Sequence, residues 1–139
     1  MRTTTRGLYA LKSLLALAGN ASSEKPVPLH RLAENEGISP EFLQQIFFKM
    51  RKAGLVAAYR GPGGGFYLAK APEEITIQEI LLAAGETLSI SPCSPLGLSS
   101  DCNNQQCKKL DDCKASRFWL GLQQEISSFA GSRRLSDFL

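Results

Sequence analysis

Four thiols fall within 21 residues of one another: Cys93, Cys102, Cys107 and Cys113, which are all the cysteines of a 139-residue chain. Thiolates are soft ligands, and four of them suit either zinc or an iron-sulfur cluster. The stretches between them are eight, four and five residues long. No Cys-x-x-Cys knuckle of the kind common in structural zinc sites is present, so the spacing leans towards a cluster. In a cytosolic protein such crowding favours a metal or redox site over structural disulfides. Free thiols or a redox-active pair are the alternative. Lys108, Lys109 and Lys114 supply positive charge that helps stabilise thiolates.

A second chemistry-bearing set lies upstream. In "GISPEFLQQIFFKMRKAG" the side chains of Glu41, Gln45, Phe48 and Lys52 share one helical face, with Gln44 and Lys49 on its flanks. Glutamines can form paired hydrogen bonds to base edges in a major groove, so Gln44 and Gln45 are candidates for reading sequence. Ser39, Lys49, Arg51 and Lys52 suit phosphates, and Glu41 belongs to the same outward set. Shortly afterwards "YRGPGGGFYL" holds four glycines and a proline in ten residues. Glycines strip a hairpin tip of side chains so that it can lie against a phosphate backbone or enter a narrow groove, and Arg60 brings the charge favoured there. The DNA-facing candidates of this loop are Arg60, Gly61, Gly63 and Gly64. A tight turn or a solvated helix would explain either feature alone; both together, in this order, select DNA binding.

The elements that must carry these residues follow from local pattern. Leu8, Leu11, Leu15 and Ala18 recur at helical spacing over residues 3–18, and this helix ends near Gly19-Asn20. "ASSEKPVP" reads as a loop, followed by a short helix from Leu29 to Glu36 that Gly37 stops. Ser39 is placed to cap a helix beginning at Pro40, with Leu43, Ile46, Phe47 and Met50 as its buried stripe and Gly54 just past its end. "LVAAYR" and "GFYLAK" read as two strands of a hairpin. Two helices, a turn, a third helix and a hairpin describe a winged helix-turn-helix. The fold class expected is mainly α with a small β-hairpin. "TIQE" from Thr76 is a capping box opening a further helix to about Ala84. Residues 86–112 should be mainly loop, and a long helix follows over roughly 113–130. Its Ala115, Trp119, Leu122, Ile126 and Phe129 form a seam suited to a second helix.

Charge divides the chain in the same way. Residues 1–70 carry ten Lys/Arg against four acids, and residues 71–139 carry six against nine. A cationic half joined to an acidic one suggests a polyanion-binding module, residues 1–75, followed by a cysteine-bearing region with another task, residues 76–139. No stretch approaches the roughly 20 apolar residues of a membrane span, and the N-terminal segment lacks export-signal character. A cytoplasmic protein with no membrane partner is expected. An enzyme is not. His30 is the sole histidine, no nucleophile, base and orienting group converge, and the glycine loop lacks the Gly-Lys-Ser/Thr of a nucleotide-binding loop and joins two strands instead of opening a helix.

"MRTTTRGLYAL", "GISPEFLQQIFFKMRKAGLV" and above all "RGPGGGFYLAK" resemble the Rrf-type transcription regulators over nearly the whole chain. The resemblance implies a homodimer with two winged helix-turn-helix heads and a long dimerisation helix, bound to palindromic double-stranded promoter DNA, and a repressor is expected. In many members three cysteines before that helix hold an iron-sulfur cluster. Cys107 and Cys113 match the last two; Cys93 or Cys102 matches the first, depending on whether one counts from the wing or from the compact spacing of the nitric-oxide-sensing branch. One branch takes a histidine three residues after the last cysteine, where this chain has Ser116. Another takes an N-terminal aspartate, where this chain has Gly7, Leu8 and Tyr9. The resemblance thus implies a cluster, 2Fe-2S or 4Fe-4S, on Cys93, Cys102, Cys107 and Cys113, whose assembly, oxidation or nitrosylation would switch DNA affinity. A cluster-free regulator answering to a metabolite, thiol oxidation or a protein partner is the nearest alternative, and a small redox or metal-carrier protein the alternative from another class.

Overall fold

The computed structural model describes residues 4–90 and 112–139, and Cys93, Cys102 and Cys107 lie outside them. Among the described residues the amphipathic stretches form five α-helices and one antiparallel hairpin. In order these are α1 (Thr5–Asn20), α2 (Leu29–Glu36), α3 (Pro40–Lys52), β1 (Val56–Tyr59), β2 (Gly65–Leu68), α4 (Ile77–Ala83) and α5 (Lys114–Ser132), with 3-10 turns at Pro72–Glu74 and Leu135–Phe138. None of these helices is long and apolar enough to cross a membrane.

Helix α3 follows its sequence signals closely. The Ser39 hydroxyl accepts a hydrogen bond from the Phe42 amide at 3.1 Å, Pro40 occupies the first turn, and Gly54 takes a positive φ just beyond the end. Leu43, Ile46, Phe47 and Met50 are fully buried, where they meet Leu14 and Leu17 of α1 and Leu32 of α2 in one core. Burying such side chains contributes about 1.5–3 kcal/mol each, which fixes the axis of α3 and hence the direction of its outer face.

The structure selects the buried row of α1 and changes one expectation. On α1 the buried row is Ala10, Leu14 and Leu17, whereas Leu8 is exposed and Leu11, Leu15 and Ala18 are only partly covered. Apolar residues surround most of this helix, so spacing alone could not choose between two adjacent rows. The segment expected as plain loop contributes a one-residue third strand: Val27 pairs with Phe66, its amide donating to the Phe66 carbonyl at 2.9 Å and its carbonyl accepting from the Phe66 amide at 2.8 Å. The hairpin, in register Val56↔Leu68 to Tyr59↔Gly65, is thereby tied to the chain between α1 and α2. Phe66 also packs edge-on against Phe47 with ring centres 5.0 Å apart, which couples the hairpin to α3.

Helix α4 begins in the capping box read from "TIQE". The Thr76 hydroxyl accepts from the Glu79 amide at 3.1 Å, and the Glu79 carboxylate accepts from the Thr76 amide at 2.8 Å. The chain's end docks beside it: Leu135 is buried in the core and its amide donates to the Ile75 carbonyl at 2.9 Å.

Candidate nucleic-acid interface

With its apolar stripe fixed inward, α3 turns Glu41, Gln44, Gln45, Phe48, Lys49, Arg51 and Lys52 to solvent, all exposed. Glu41, Gln44, Gln45, Phe48 and Lys49 line a shallow concavity on that face. Among the described residues no ion pair engages Lys49, Arg51, Lys52 or Arg60; the pairs that form are Lys12–Glu36 at 3.0 Å and Lys70–Glu79 at 3.5 Å. Among the described residues the cations of this face are therefore without an ion-pair partner. Ser39 is exposed at the N-terminus of α3 with its oxygen accepting from Phe42, which leaves its hydroxyl proton to donate outward.

The hairpin tip is built to be thin. Pro62 and Gly63 occupy the centre of a turn closed by the Gly64 amide donating to the Gly61 carbonyl at 2.9 Å, and Gly63 has φ +72°, the left-handed value that a type II turn needs. At Gly64 a side chain would collide with the Tyr59 carbonyl oxygen. Arg60 and Tyr59 are exposed at the base of the tip. The residues chosen from sequence thus stand on two exposed elements joined through the Phe47–Phe66 contact. His30 is exposed on α2 and takes part in no ion pair among the described residues.

Of the four cysteines, Cys113 is described. It is partly buried at the N-cap of α5, its side chain makes no capping hydrogen bond, and its carbonyl accepts from the Ser116 amide at 3.1 Å and the Ser116 hydroxyl at 2.6 Å. Among the described residues no group of three or more His, Cys, Asp or Glu gathers as a metal site.

Two polar residues that sequence reasoning passed over anchor the start of the cysteine-bearing segment, one to the head and one to α5. Glu86, buried just after α4, accepts hydrogen bonds from the Thr4 amide at 3.1 Å, the Gly7 amide at 2.9 Å and the Thr4 hydroxyl, and so caps α1 from 79 residues away. Its approach is close enough that a side chain at Gly7 would run into the carboxylate. Gln123, buried on α5, accepts from the Ile90 amide at 3.0 Å and donates to the Ser127 hydroxyl at 3.1 Å. A carboxylate at a helix N-terminus is favoured by the unpaired amides and the helix dipole, but no local motif announces a partner so distant in sequence.

Comparison with known proteins agrees with this layout. A family model, Rrf2, described as an iron-dependent transcriptional regulator, matches residues 3–139. The chain is 35% identical to the HTH-type transcriptional regulator IscR of Photorhabdus laumondii over 139 residues, all of this chain and 79% of the relative. It is 36% identical to the IscR of Aliivibrio salmonicida over the same length, 77% of that protein. Among solved structures, the global cysteine regulator CymR of B. subtilis superposes with a TM-score of 0.75 at 26% identity, covering 99% of this chain and 95% of that one. IscR of T. potens gives a TM-score of 0.75 at 27% identity, covering 99% and 85%.

Proposed function

The chain belongs to the Rrf2 family of transcription regulators, and from that premise we propose a homodimeric repressor that reads palindromic promoter DNA and answers to an iron-sulfur cluster on its cysteine segment. Like its relatives it is a DNA-binding regulator and not an enzyme. The observation that carries the reading is the exposed cationic outer face of α3, unpaired among the described residues, beside a glycine-built wing. Residues 1–75 form the DNA-binding region, with α3 in the major groove. Gln44 and Gln45 read base edges, Ser39, Lys49, Arg51 and Lys52 hold phosphates, and Glu41 stands at the rim. Arg60, Gly61, Gly63 and Gly64 bring the wing against the backbone or the minor groove.

Residues 76–139 sense and dimerise. The exposed Phe118, Trp119, Leu122 and Phe129 of α5 are the seam for a second copy; a two-fold axis through it presents two α3 helices to two half-sites, which is why the target is a palindrome. Cys93, Cys102, Cys107 and Cys113 are the donors we assign to the cluster. An all-thiolate set suits iron and sulfide, and the Cys113 side chain, without a capping bond, has its sulfur to give. A cluster held there would supply a centre responsive to redox state and nitric oxide. The protein's part is the linkage: Gln123 holds Ile90 on α5, Glu86 holds the start of α1, and the Lys49 ammonium of α3 comes near enough to Gly85 that a side chain there would crowd it. A change in residues 87–113 biases DNA affinity only through a difference in its interaction with two arrangements of these contacts.

Oxygen-free purification with iron, sulfide and visible spectroscopy tests the sensor: a coloured protein with iron and sulfide in cluster proportion is expected. A colourless, thiol-responsive regulator would replace it, a second reading favoured by the likeness to the cysteine regulator CymR. Binding to duplex DNA should weaken steeply with salt. Arg60→Ala should weaken binding to every duplex, whereas Gln44→Ala or Gln45→Ala should change base preference; equal losses on all sequences from the glutamine variants would contradict their assignment.

A further inference from the structure

Phe48 is 69% exposed, the most exposed of the large hydrophobic side chains among the described residues. It does not stand at the edge of the core or on the α5 seam. It stands in the middle of the outer face of α3, one turn beyond Gln44 and Gln45 and beside Lys49 and Lys52, where every neighbour on the face is polar or charged. Helical geometry that buries Phe47 leaves Phe48 pointing away from the core, so packing among the described residues gives the ring no purpose.

Three occupants could cover such a ring. A protein partner is the poorest match, because a stable interface needs about 800 Å² per side and one aromatic ring supplies about 150–250 Å² in a surround of exposed polar and charged side chains. Intercalation between bases from the minor groove is also disfavoured, since an α-helix about 10–12 Å across suits the major groove, about 12 Å wide, and not the minor groove at about 6 Å. The major groove offers one apolar group, the C5-methyl of thymine. Resting on the DNA-binding reading above, we propose that Phe48 is a specificity-determining residue that reads thymine through this methyl. One helical turn is about 5.4 Å and one base-pair step about 3.4 Å, so the thymine lies about one or two base pairs from the bases met by Gln44 and Gln45.

The test uses the full chain and a duplex selected by it from a randomised pool. Each thymine of the selected duplex is replaced singly by deoxyuridine, which removes the methyl and keeps every hydrogen-bonding group. Wild-type affinity should fall about fourfold at one thymine per half-site, the factor that corresponds to about 0.8 kcal/mol for one buried methyl. Phe48→Ala should bind the unmodified duplex more weakly and be indifferent to deoxyuridine at that position, while its affinity for a scrambled duplex and its salt dependence stay at wild-type values. Phe48→Leu, which keeps an apolar side chain, should retain part of the deoxyuridine effect. Indifference of the wild type to deoxyuridine at every position, or equal sensitivity in Phe48→Ala, overturns the proposal while leaving DNA binding intact. Failure of the wild type to bind any duplex in a salt-dependent way overturns both.

Discussion

Helices α3 and α5 carry the same kind of apolar pattern and meet opposite fates. On α3, Leu43, Ile46, Phe47 and Met50 are each no more than 1% exposed. On α5, Trp119 is 40%, Leu122 37% and Phe129 59% exposed, and the residues buried there are Ser116, Gln123 and Ala130. Periodicity reports which side chains share a face; what covers the face is decided elsewhere. Helix α3 is surrounded by α1, α2 and the hairpin, which close over its stripe. Helix α5 presents small and polar residues to its own chain and keeps the larger apolar ones outside. Few chains leave a contiguous apolar row in water without a partner for it, because each such side chain forgoes about 25 cal/mol per Å² of burial.

Breaking each face should therefore do different things. Phe47→Ala removes a ring from the closed core and its edge-on contact with Phe66; a loss of about 3–5 kcal/mol in unfolding free energy is expected from denaturant titration. Leu122→Asp puts a charge on the open face. It should leave the helical content of the chain unchanged and weaken self-association by about a hundredfold, read by sedimentation across a concentration series. A variant that unfolds the isolated chain instead would show that the α5 face is closed within it after all, and unchanged association for both Leu122→Asp and Phe129→Asp would remove α5 as the seam.

The same contrast explains what the sequence made legible. Ser39, Pro40 and Gly54 bracketed α3 because capping is a short-range affair, and with the ends set, the 3.6-residue period assigned both its buried stripe and its exposed glutamines and lysines. Thr76 and Glu79 were visible for the same reason. The pairing of Val27 with Phe66, the cap that Glu86 places on α1 and the hold of Gln123 on Ile90 each join residues 33 or more apart, and no window of sequence contains both partners. The buried row of α1 was hidden for another reason: Leu8, Leu11, Leu15 and Ala18 share helical spacing, as do the Ala10, Leu14 and Leu17 that the core takes. Phe48 was seen as outward-facing, but an exposed ring acquires meaning only once its neighbours are known to be exposed and polar or charged.

Glu86 and Glu79 turn the contrast into a pair of carboxylates that do one job at different ranges. Glu86→Ala leaves the buried Gly7 amide without its acceptor and should cost about 1–3 kcal/mol, with hydrogen exchange at Gly7 accelerated. Glu86→Gln keeps an acceptor and should recover a part of that loss. A neutral effect of both on stability would show that solvent satisfies the start of α1 equally well.

The local carboxylate should have the smaller effect and a distinctive dependence on acid. Thr76→Ala removes one arm of the capping box and is expected to cost about 1 kcal/mol. The hydrogen bond from the Thr76 amide holds the Glu79 carboxyl below its ordinary pKa; partial burial opposes this, and the Thr76 hydroxyl and Lys70 add to it. A carboxyl with a lower pKa in the folded chain than in the unfolded one is protonated first in the unfolded chain. Its contribution is therefore complete above the ordinary carboxylate pKa of about 4.3 and disappears as pH falls through the depressed folded value. Glu79→Gln should be less stable than wild type at pH 7 by a few tenths of a kcal/mol, given how open the Lys70–Glu79 pair is to solvent. The two stabilities should converge as pH falls below about 4.3 and through the depressed folded value. A gap that stays constant across that range would mean that the cap depends on the shape of the side chain and not on its charge.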